Sequence, residues 1–264
     1  MKLEKEKTSR WELIRLLTPE RHRIILELLE QKGVVKIQEL VEATSSSEST
    51  IRRDLSQLEK EKKLKRVHGG ASLFQQRSEE LSISEKSTKN LEEKRMIAQY
   101  AASLIQDGDC IYLDAGTTTF QMIPYISAQK IKVVTNGLTH LEALLEQNIE
   151  TYLTGGYVKK TTRALIGKGA QEGLQSYRFD KAFMGVNGIH LEFGYTTPDP
   201  EEAAVKSLAM NLSQKSFVLA DHTKFNEFTF SKITDLNDAV IITDEIDQEI
   251  LEEFSAKTAV KVVK

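Results

Sequence analysis

Between residue 110 and the C-terminus, short β-rich runs alternate with stretches of helical periodicity, and this alternation constrains the fold more than any other feature. The runs lie at residues 110–114, 132–135, 151–153, 182–186, 217–220, 239–243 and 260–263. Strands that are separated by helices form mainly parallel pairs, because a parallel connection has to cross from one end of the sheet to the other. The sequence therefore predicts an α/β domain with a largely parallel sheet.

The first loop at a strand end has the composition of a phosphate-binding turn. In an open α/β sheet, ligands bind beyond the carboxyl ends of the strands. Asp114 ends the first run and is followed by Gly116, Thr117, Thr118 and Thr119, a glycine turn with three hydroxyls before a helical stretch. Such a turn offers backbone N–H groups to an anion, although a threonine-rich turn is often only a helix N-cap.

The next three strand ends also carry glycine together with asparagine or threonine. Asn136, Gly155 and Asn187 lie in these loops. Each glycine can be explained separately by turn geometry, but successive loops of this kind converge at one edge of a parallel sheet. They predict a polar, backbone-lined crevice for a small hydroxylated anion.

Four charged residues further along the chain are candidates for the same crevice. Glu202 and Lys206 are four residues apart in a capped helix start and therefore share one helix face. Two interpretations are open: they form a surface ion pair, or Lys206 binds a ligand phosphate and Glu202 a sugar hydroxyl. Asp221 and Lys224, which follow the run at 217–220, permit the same two interpretations.

A second pattern, in residues 45–71, is typical of a helix that reads DNA. A helix that starts after an N-cap at Ser47 places Ile51, Leu55 and Leu58 on one face. Its other side carries hydroxyls and guanidiniums, which reach base edges and phosphates in the major groove. The predicted DNA contacts of this helix are Ser47, Ser49, Thr50, Arg52, Arg53 and Ser56.

Paired arginines on a helix are usually only a solvated face, but the segment that follows argues against that interpretation. A run of lysine and arginine leads to a short apolar stretch. His68, Gly69 and Gly70 then form a tight turn, and a second short apolar stretch follows the turn. Glycine pairs supply the positive φ of a two-residue hairpin turn. The sequence predicts a winged helix-turn-helix of the α+β class, with Lys65, Arg66 and His68 in the wing at phosphate or in the minor groove.

The charge distribution agrees with a DNA-binding end. The whole chain has a net charge of −3, but residues 1–70 hold 16 Lys and Arg against 12 Asp and Glu, a net of +4. Such asymmetry indicates a basic DNA-binding part joined to an acidic body. Cys110 is the only cysteine, so no intrachain disulfide or thiolate cluster can form, which favours a reducing cytoplasm.

These patterns divide the chain into four parts. We predict an N-terminal extension at 1–17, a winged helix-turn-helix at 18–73, a linker at 74–90 and the α/β domain at 91–264. No cofactor is predicted. No metal site is predicted either, because His222 has no second His or Cys at ligand spacing. No apolar run is long enough to span a bilayer, so no membrane partner is expected.

Both predicted domains resemble one protein family. The N-terminal segment, above all TIRRDL and RVHGGA, resembles the DNA-binding domain of DeoR-family bacterial transcriptional regulators. The motifs DAGTTT, VVTNGL, TGG, GVNGI, TTPDPEEAAVK and LADHTKF resemble, in the same order, the sensor domain of that family. The resemblance implies a sensor domain similar in fold to ribose-5-phosphate isomerase that senses a phosphorylated sugar without converting it. It also implies a homo-oligomer, a dimer or a tetramer.

The resemblance adds to the candidate ligand residues. It points to Asp114, Gly116, Thr117, Thr118, Asn136, Lys206 and Asp221, and it is the only reason to add Arg163 and Lys168. TTPDPEEAAVK is most similar to repressors of fructose-utilisation operons. That similarity implies fructose 1-phosphate, or a related fructose phosphate, as the inducer.

The leading hypothesis is a cytoplasmic repressor that binds double-stranded operator DNA and loses affinity for it when a sugar phosphate binds. One alternative is an activator with the same class of ligand. Another is a sugar-phosphate isomerase fused to a DNA-binding domain, because carboxylates and a lysine near a phosphate loop suit an enediol mechanism.

Overall fold

A computed structural model describes residues 17–32, 34–61, 63–67, 69–73 and 82–263. The chain divides into two compact units between residues 78 and 79. The predicted extension up to residue 16, the wing residue His68 and the first part of the predicted linker lie outside the described residues.

The N-terminal unit has the order of elements of a winged helix-turn-helix. Its helices are α1 (Thr18–Lys32), α2 (Ile37–Thr44) and α3 (Glu48–Lys60), and its strands are β1 (Val34–Lys36), β2 (Leu64–Val67) and β3 (Gly70–Leu73). The strands pair antiparallel in the order β1-β3-β2. Gly69, in the turn between β2 and β3, has a φ of +77°, which glycine adopts without strain. This arrangement confirms the predicted winged helix-turn-helix.

The apolar face of α3 packs into a small core, as its spacing predicts. Ile51, Leu55 and Leu58 are buried and belong to the same cluster as Ile25 and Leu29 of α1. Because a core of this size contains few residues, each side chain on this face matters for the stability of the unit.

The C-terminal unit is an α/β domain built on one parallel sheet. The strands of the sheet are β4 (Cys110–Leu113), β5 (Lys132–Thr135), β6 (Glu150–Leu153), β9 (Phe179–Gly185), β12 (Ser213–Leu219), β14 (Val240–Thr243) and β15 (Val260–Val262). They lie in the order β15-β14-β12-β9-β4-β5-β6, and every neighbouring pair is parallel. The predicted parallel α/β fold is confirmed, and each predicted run contributes a strand.

Helices cover both faces of this sheet. They are α4 (Ile83–Thr88), α5 (Leu91–Ser103), α6 (Thr117–Phe120), α7 (Leu138–Glu146), α8 (Lys168–Gln175), α9 (Pro200–Asn211) and α10 (Gln248–Ser255). Successive side chains of a strand point to opposite faces. In β4, Ile111 and Leu113 join the core that contains α5, while Tyr112 joins the core that contains α8 and α9.

Two smaller sheets were not predicted. β10 (Gly188–His190), β11 (Gly194–Thr197) and β13 (Ser231–Thr234) form an antiparallel sheet, and β7 (Tyr157–Val158) and β8 (Leu165–Ile166) form a hairpin. Their strands have two to four residues, and none of them coincides with one of the β-rich runs from which the parallel sheet was predicted.

Within the predicted linker, residues 83–88 form α4, which belongs to the C-terminal unit. The limits of the linker itself stay a prediction. No helix within the described ranges has the length and apolar character needed to span a bilayer.

Candidate functional sites

The predicted DNA-reading side of α3 is open to solvent. Ser49, Arg52 and Arg53 are exposed and Ser56 is half-buried. Arg52 donates from Nε at 3.0 Å and from Nη2 at 2.7 Å to Oε1 of Glu48. Arg53 has no hydrogen bond or ion pair within the described part of the chain, so its guanidinium is available to a base or a phosphate.

Three predicted DNA contacts form one hydroxyl cluster at the start of α3. Ser47 Oγ accepts the N–H of Thr50 at 3.3 Å, which confirms Ser47 as the N-cap. The same oxygen lies 3.0 Å from Ser49 Oγ and 2.9 Å from Thr50 Oγ1. The cluster therefore holds hydroxyls at a helix N-terminus, where backbone N–H groups favour a phosphate.

The wing strand β2 is tied to α3 by Arg66. Its backbone N–H donates to Glu59 Oε1 at 2.8 Å, and its Nη1 donates to Ser56 Oγ at 2.9 Å. Lys65, the neighbouring wing candidate, is half-buried. The structure thus brings a predicted wing residue and a predicted helix residue into direct contact.

A groove along α3 contains two further residues that the sequence analysis did not name. It encloses about 390 Å³ and is lined by Arg52, Arg53, Ser56, Gln57 and Lys60. Gln57 and Lys60 lie four residues after Arg53 and Ser56, so they share the face of those residues. That spacing was the signal that could have found them.

In the C-terminal unit, the order of the strands reverses at β4. The chain first adds β5 and β6 on one side of β4 and then crosses to β9 on the other side. Ligands of open α/β sheets bind at such a switch point, beyond the carboxyl ends of the strands. Asp114 and Gly116 follow β4, and Gly185 ends β9, so these residues meet at the switch.

Asp114 and Lys206 form a buried ion pair at this point. Asp114 is fully buried, and its Oδ2 accepts hydrogen bonds from Lys206 Nζ and from the N–H of Gly185 at 3.0 Å. Lys206 is 6% exposed and also donates to the carbonyl of Gly185 at 2.9 Å. An ammonium group has three N–H donors, and two of those of Lys206 have acceptors among the described residues.

Two buried polar atoms beside this pair have no partner among the described residues. They are Asp114 Oδ1 and the hydroxyl of Tyr112. Burial, and then the charges of Asp114 and Glu202, raise the pKa of Tyr112, so its phenol keeps its proton and can donate. A buried carboxylate oxygen without a donor is costly, and a sugar hydroxyl is a group that can satisfy it.

The structure corrects the expectation for Thr119. Its side chain is fully buried, and Oγ1 lies 2.6 Å from the carbonyl of Asp114 and 3.2 Å from His140 Nε2. The N–H of Gly116 donates to the same oxygen at 3.0 Å. Thr119 therefore stabilises the turn from the interior of the domain, through hydrogen bonds to the backbone of Asp114 and Gly116. A Cβ on Gly116 would lie only 3.0 Å from this oxygen, which explains glycine there.

The other two threonines of the turn are placed differently. Thr117 is half-buried and Thr118 is buried. Within the described ranges, the backbone N–H groups of Thr117 and Thr118 have no carbonyl acceptor. Unpaired N–H groups at a glycine turn are suitable donors for an anion.

Asn136 holds the turn after β4 in place. It is 2% exposed, and its Oδ1 accepts the N–H of Ala115 at 2.8 Å. Its carbonyl accepts the N–H of Leu165 at 2.7 Å, and its Nδ2 donates back to the Leu165 carbonyl at 3.4 Å. Both polar atoms of the Asn136 side chain thus bond to the backbone of neighbouring loops, and these bonds fix the shape of the predicted crevice.

The interpretation of Glu202 and Lys206 as a surface ion pair is wrong. Both are buried, and Glu202 bonds to other partners. Its Oε1 accepts from Thr162 Oγ1 at 2.6 Å and lies 3.2 Å from Lys159 Nζ, while Thr197 Oγ1 lies 3.4 Å from its Oε2. Glu202 therefore fastens the loop between β7 and β8 to α9.

Two neighbours extend this cluster. Asp199 caps α9 through the N–H groups of Glu201 and Glu202, and its Oδ2 lies 2.9 Å from Lys159 Nζ. The Oδ1 of Asn187, another predicted ligand residue, accepts from Thr197 Oγ1 at 3.2 Å. Asn187 thus belongs to the cluster around Glu202 and is half-buried.

Asp221 lies at the carboxyl end of β12, as predicted. It is 2% exposed, and its side chain accepts hydrogen bonds from the N–H of Thr223 at 3.1 Å and from the hydroxyl of the same residue. Burial opposes the ionisation of Asp221, but Lys224 and these hydrogen bonds outweigh it and lower the pKa. Lys224 is half-buried in the turn that follows.

Three predicted ligand residues are not part of the arrangement around Asp114 and Lys206. Gly155 is exposed, and the side chain of Lys168 is 88% exposed and pairs with Glu172. Arg163 is exposed and lines an open cavity of about 690 Å³ with Lys160. Neither Asp114 nor Lys206 lines that cavity.

Sequence reasoning missed Thr162 and Lys159, which bond to Glu202, and Lys94, which is 6% exposed in α5. Thr162 and Lys159 lie in a short loop without periodicity, so no local signal marks them. Lys94 had a signal, since it lies three residues before the buried Ile97 and therefore on the same side of α5.

The comparisons with known proteins cover both units. Residues 21–77 match the family model described as the DeoR-like helix-turn-helix domain, and residues 89–245 match the DeoR C terminal sensor domain. The HTH-type transcriptional regulator FruR of Bacillus subtilis (strain 168) is 51% identical over 94% of this chain and 100% of its own length. The lactose phosphotransferase system repressor of Staphylococcus aureus (strain NCTC 8325 / PS 47) is 35% identical over 90% of this chain and 96% of its own.

A solved structure of ribose 5 phosphate isomerase A from Neisseria gonorrhoeae is 17% identical, with a TM-score of 0.38 over 50% of this chain and 52% of that one. The family assignment rests on the two family models and on the relatives. Together they show that this chain belongs to the DeoR family of helix-turn-helix transcriptional regulators.

Proposed function

We propose that this regulator represses a sugar-utilisation operon, most specifically one for fructose, and is released from its operator by a phosphorylated sugar such as fructose 1-phosphate. Two relatives are named repressors, of the lactose phosphotransferase system and, putatively, of the aga operon, and a third is named FruR. The observation that carries the sensor function is the buried pair of Asp114 and Lys206 at the strand-order switch, beside unpartnered polar atoms.

The proposed operator contacts are on α3 and in the wing. Arg53 is the leading candidate for a base contact because its guanidinium is exposed and has no partner within the described residues. The hydroxyls of Ser47, Ser49 and Thr50 are suited to phosphate at the start of the helix. Lys65 and Arg66, with His68, are proposed to contact the backbone or the minor groove.

The proposed effector site uses two kinds of group. The N–H groups of Thr117 and Thr118 and the third donor of Lys206 bind the phosphate, since all three are donors without an acceptor among the described residues and a phosphate supplies acceptors. Asp114 Oδ1 accepts a sugar hydroxyl, which supplies the donor that this buried oxygen lacks. The role of Gly116 is to let the turn pass close to Thr119.

Effector and operator are coupled through a shift in population. The sugar phosphate has to bind the arrangement that is incompetent for DNA better than the competent one. A tenfold fall in operator affinity requires about 1.4 kcal/mol of such differential binding. A homo-oligomer, a dimer or a tetramer in the cytoplasm, would place paired DNA-binding units on a symmetric operator.

We propose binding without turnover, because the relatives compared above are regulators. Detectable aldose–ketose interconversion that disappears in Asp114→Asn would revive the isomerase alternative. The position of the operator relative to the promoter separates a repressor from an activator, since a repressor site overlaps the region that the polymerase occupies.

A mobility-shift titration tests the proposal. The full chain is titrated on its own promoter region at low salt, with and without fructose 1-phosphate and other sugar phosphates as controls. We expect a specific shift that fructose 1-phosphate weakens at least tenfold. Absence of a shift would refute operator binding, and a shift that no sugar phosphate changes would refute the proposed effector class.

A further inference from the structure

Helix α4 is a short helix that depends on its neighbours. Ser82 caps it in a capping box with Glu85: Ser82 Oγ accepts the N–H of Glu85 at 3.4 Å, and the N–H of Ser82 donates to Glu85 Oε2 at 2.9 Å. The helix spans six residues and has no buried residue. A helix of this length is not stable in isolation, so its formation requires contacts with the rest of the unit.

The first contact joins α4 to the loop that Glu202 holds. The N–H of Ile83 donates to the carbonyl of Thr161 at 3.1 Å. The next residue, Thr162, donates to Glu202 Oε1 at 2.6 Å, and Glu202 lies one turn before Lys206 on α9. The helix also packs against α6, which carries the threonine turn.

The second contact fixes the C-terminal end of α4. Lys94 Nζ donates to the carbonyl of Lys86 at 2.5 Å and to that of Lys89 at 2.6 Å, which satisfies carbonyl groups at the helix end. Asn90, in the turn between α4 and α5, is one of the groups that lower the pKa of Asp221 at the end of β12. The N-terminal end of α4 is therefore held by the loop that bonds to Glu202, and its C-terminal end is held by Lys94 of α5.

We propose that α4 is a strap that couples the sugar-phosphate crevice to the DNA-binding unit. The partners of α4 are the loop at 159–163, α6 and Lys94 of α5. The loop bonds to Glu202, one turn from Lys206, and α6 carries the threonine turn. In the sequence, the N-terminal end of α4 follows the wing strand β3, with residues 74–81 between them. When the effector binds, these partners change position, and the stability of α4 in its docked position changes with them. The strap thereby links effector binding to operator affinity. This inference rests on the proposed function.

One test needs no effector. Amide hydrogen exchange of residues 83–88 is measured in the full chain for the wild type, Thr162→Val and Thr162→Ser. Valine has nearly the shape of threonine but cannot donate to Glu202, whereas serine keeps the hydroxyl. We expect exchange in α4 to be about fivefold faster in Thr162→Val, the size expected for one lost hydrogen bond, and close to wild type in Thr162→Ser. Unchanged exchange in the valine variant would overturn the strap.

A second test breaks the docking contact itself. Ile83→Pro removes the N–H that donates to Thr161, and proline is tolerated at the first position of a helix. Ser82 already has φ −58° and ψ 157°, the extended conformation that a residue before proline adopts. Ile83→Ala is the matched control, because it shortens the side chain but keeps the N–H.

Operator affinity is measured for both variants with and without saturating fructose 1-phosphate. If the wild type responds tenfold, we expect Ile83→Ala to keep that response and Ile83→Pro to respond less than about threefold. An equal response in the two variants would overturn the proposal. Calorimetry with fructose 1-phosphate checks that Ile83→Pro still binds it. Lost binding would make α4 part of the site itself, which also overturns the strap.

The two proposals can fail separately. If the wild type binds its promoter but does not respond to fructose 1-phosphate, the proposed effector is wrong. The exchange experiment then decides the strap, because its readout depends on Thr162 and α4 and not on any ligand.

Discussion

Lys206 on α9 donates to the buried carboxylate of Asp114 after β4, although the two residues are 92 positions apart in the sequence. Glu202, one turn earlier on the same helix, bonds instead to Thr162 and Lys159. The Asp114–Lys206 pair therefore joins α9 to the strand-order switch, and both charges are almost completely removed from water. A pair in this position contributes to stability as well as to the proposed site.

Removal of one partner of this pair should destabilise the C-terminal unit. Lys206→Met leaves the Asp114 carboxylate buried without its counter-ion, which typically costs about 3–5 kcal/mol of unfolding free energy. Urea denaturation of the full chain measures the loss. The control is Lys168→Ala, where the exposed side chain should contribute less than about 1 kcal/mol. Equal stabilities of the two variants would contradict the buried pair, and the double variant Asp114→Asn with Lys206→Met should recover part of the loss.

Arg53→Ala should weaken operator binding without changing sugar-phosphate binding. A bidentate contact from arginine to a base contributes about 1–3 kcal/mol, so we expect a loss of about 5- to 150-fold in a mobility-shift titration. Arg23→Ala is the matched control, because Arg23 is also exposed but lies on α1 and pairs with Glu20 and Glu27. Loss of both activities in a folded Arg53→Ala protein would contradict the division of labour between the two units.

Asp54→Asn should destabilise the DNA-binding unit. Asp54 is 4% exposed and accepts from Arg21 Nε at 2.7 Å and Nη2 at 3.0 Å, which connects α3 to α1. Loss of hydrogen bonds to a charged group costs about 1.5–3 kcal/mol. Thermal unfolding of the N-terminal unit within the full chain measures this cost. The exposed pair of Glu20 and Arg23 supplies the control, and Glu20→Gln should leave the unfolding temperature close to that of the wild type.

His140 should make the C-terminal unit sensitive to acid. Its burial lowers the pKa from 6.5 to about 4, although Asp114 acts in the opposite direction. The folded state keeps the imidazole neutral, whereas the unfolded chain takes up a proton below pH 6.5. The stability from this group is therefore complete above pH 6.5 and is lost as the pH falls towards 4, by about 3 kcal/mol in all.

The measurement for His140 is urea denaturation at pH 7, 6, 5 and 4 for the wild type and His140→Gln. Glutamine does not titrate, so its unfolding free energy should fall less steeply with pH than that of the wild type. Parallel pH profiles of the two proteins would show that His140 does not carry this sensitivity.

Local patterns in the sequence determined the elements of this protein. The β-rich runs between helical stretches predict the strands of the parallel sheet. The period of 3.6 predicts the apolar face of α3 with Ile51 and Leu55, and the hydroxyl before that helix predicts the N-cap at Ser47. These patterns are local because each side chain reports only which face of its own element is buried. The same logic predicts that Asp114 lies at the carboxyl end of a strand.

Partners across the chain were decided only by the tertiary structure. Spacing placed Glu202 and Lys206 on one helix face, but it could not show that each bonds to a residue from another segment. Nor could it show that Thr119 is buried below its turn or that α4 docks through Ile83. The physical reason is that periodicity fixes the direction of a side chain within its element, whereas its partner depends on which distant segments the packed sheet brings to the same edge.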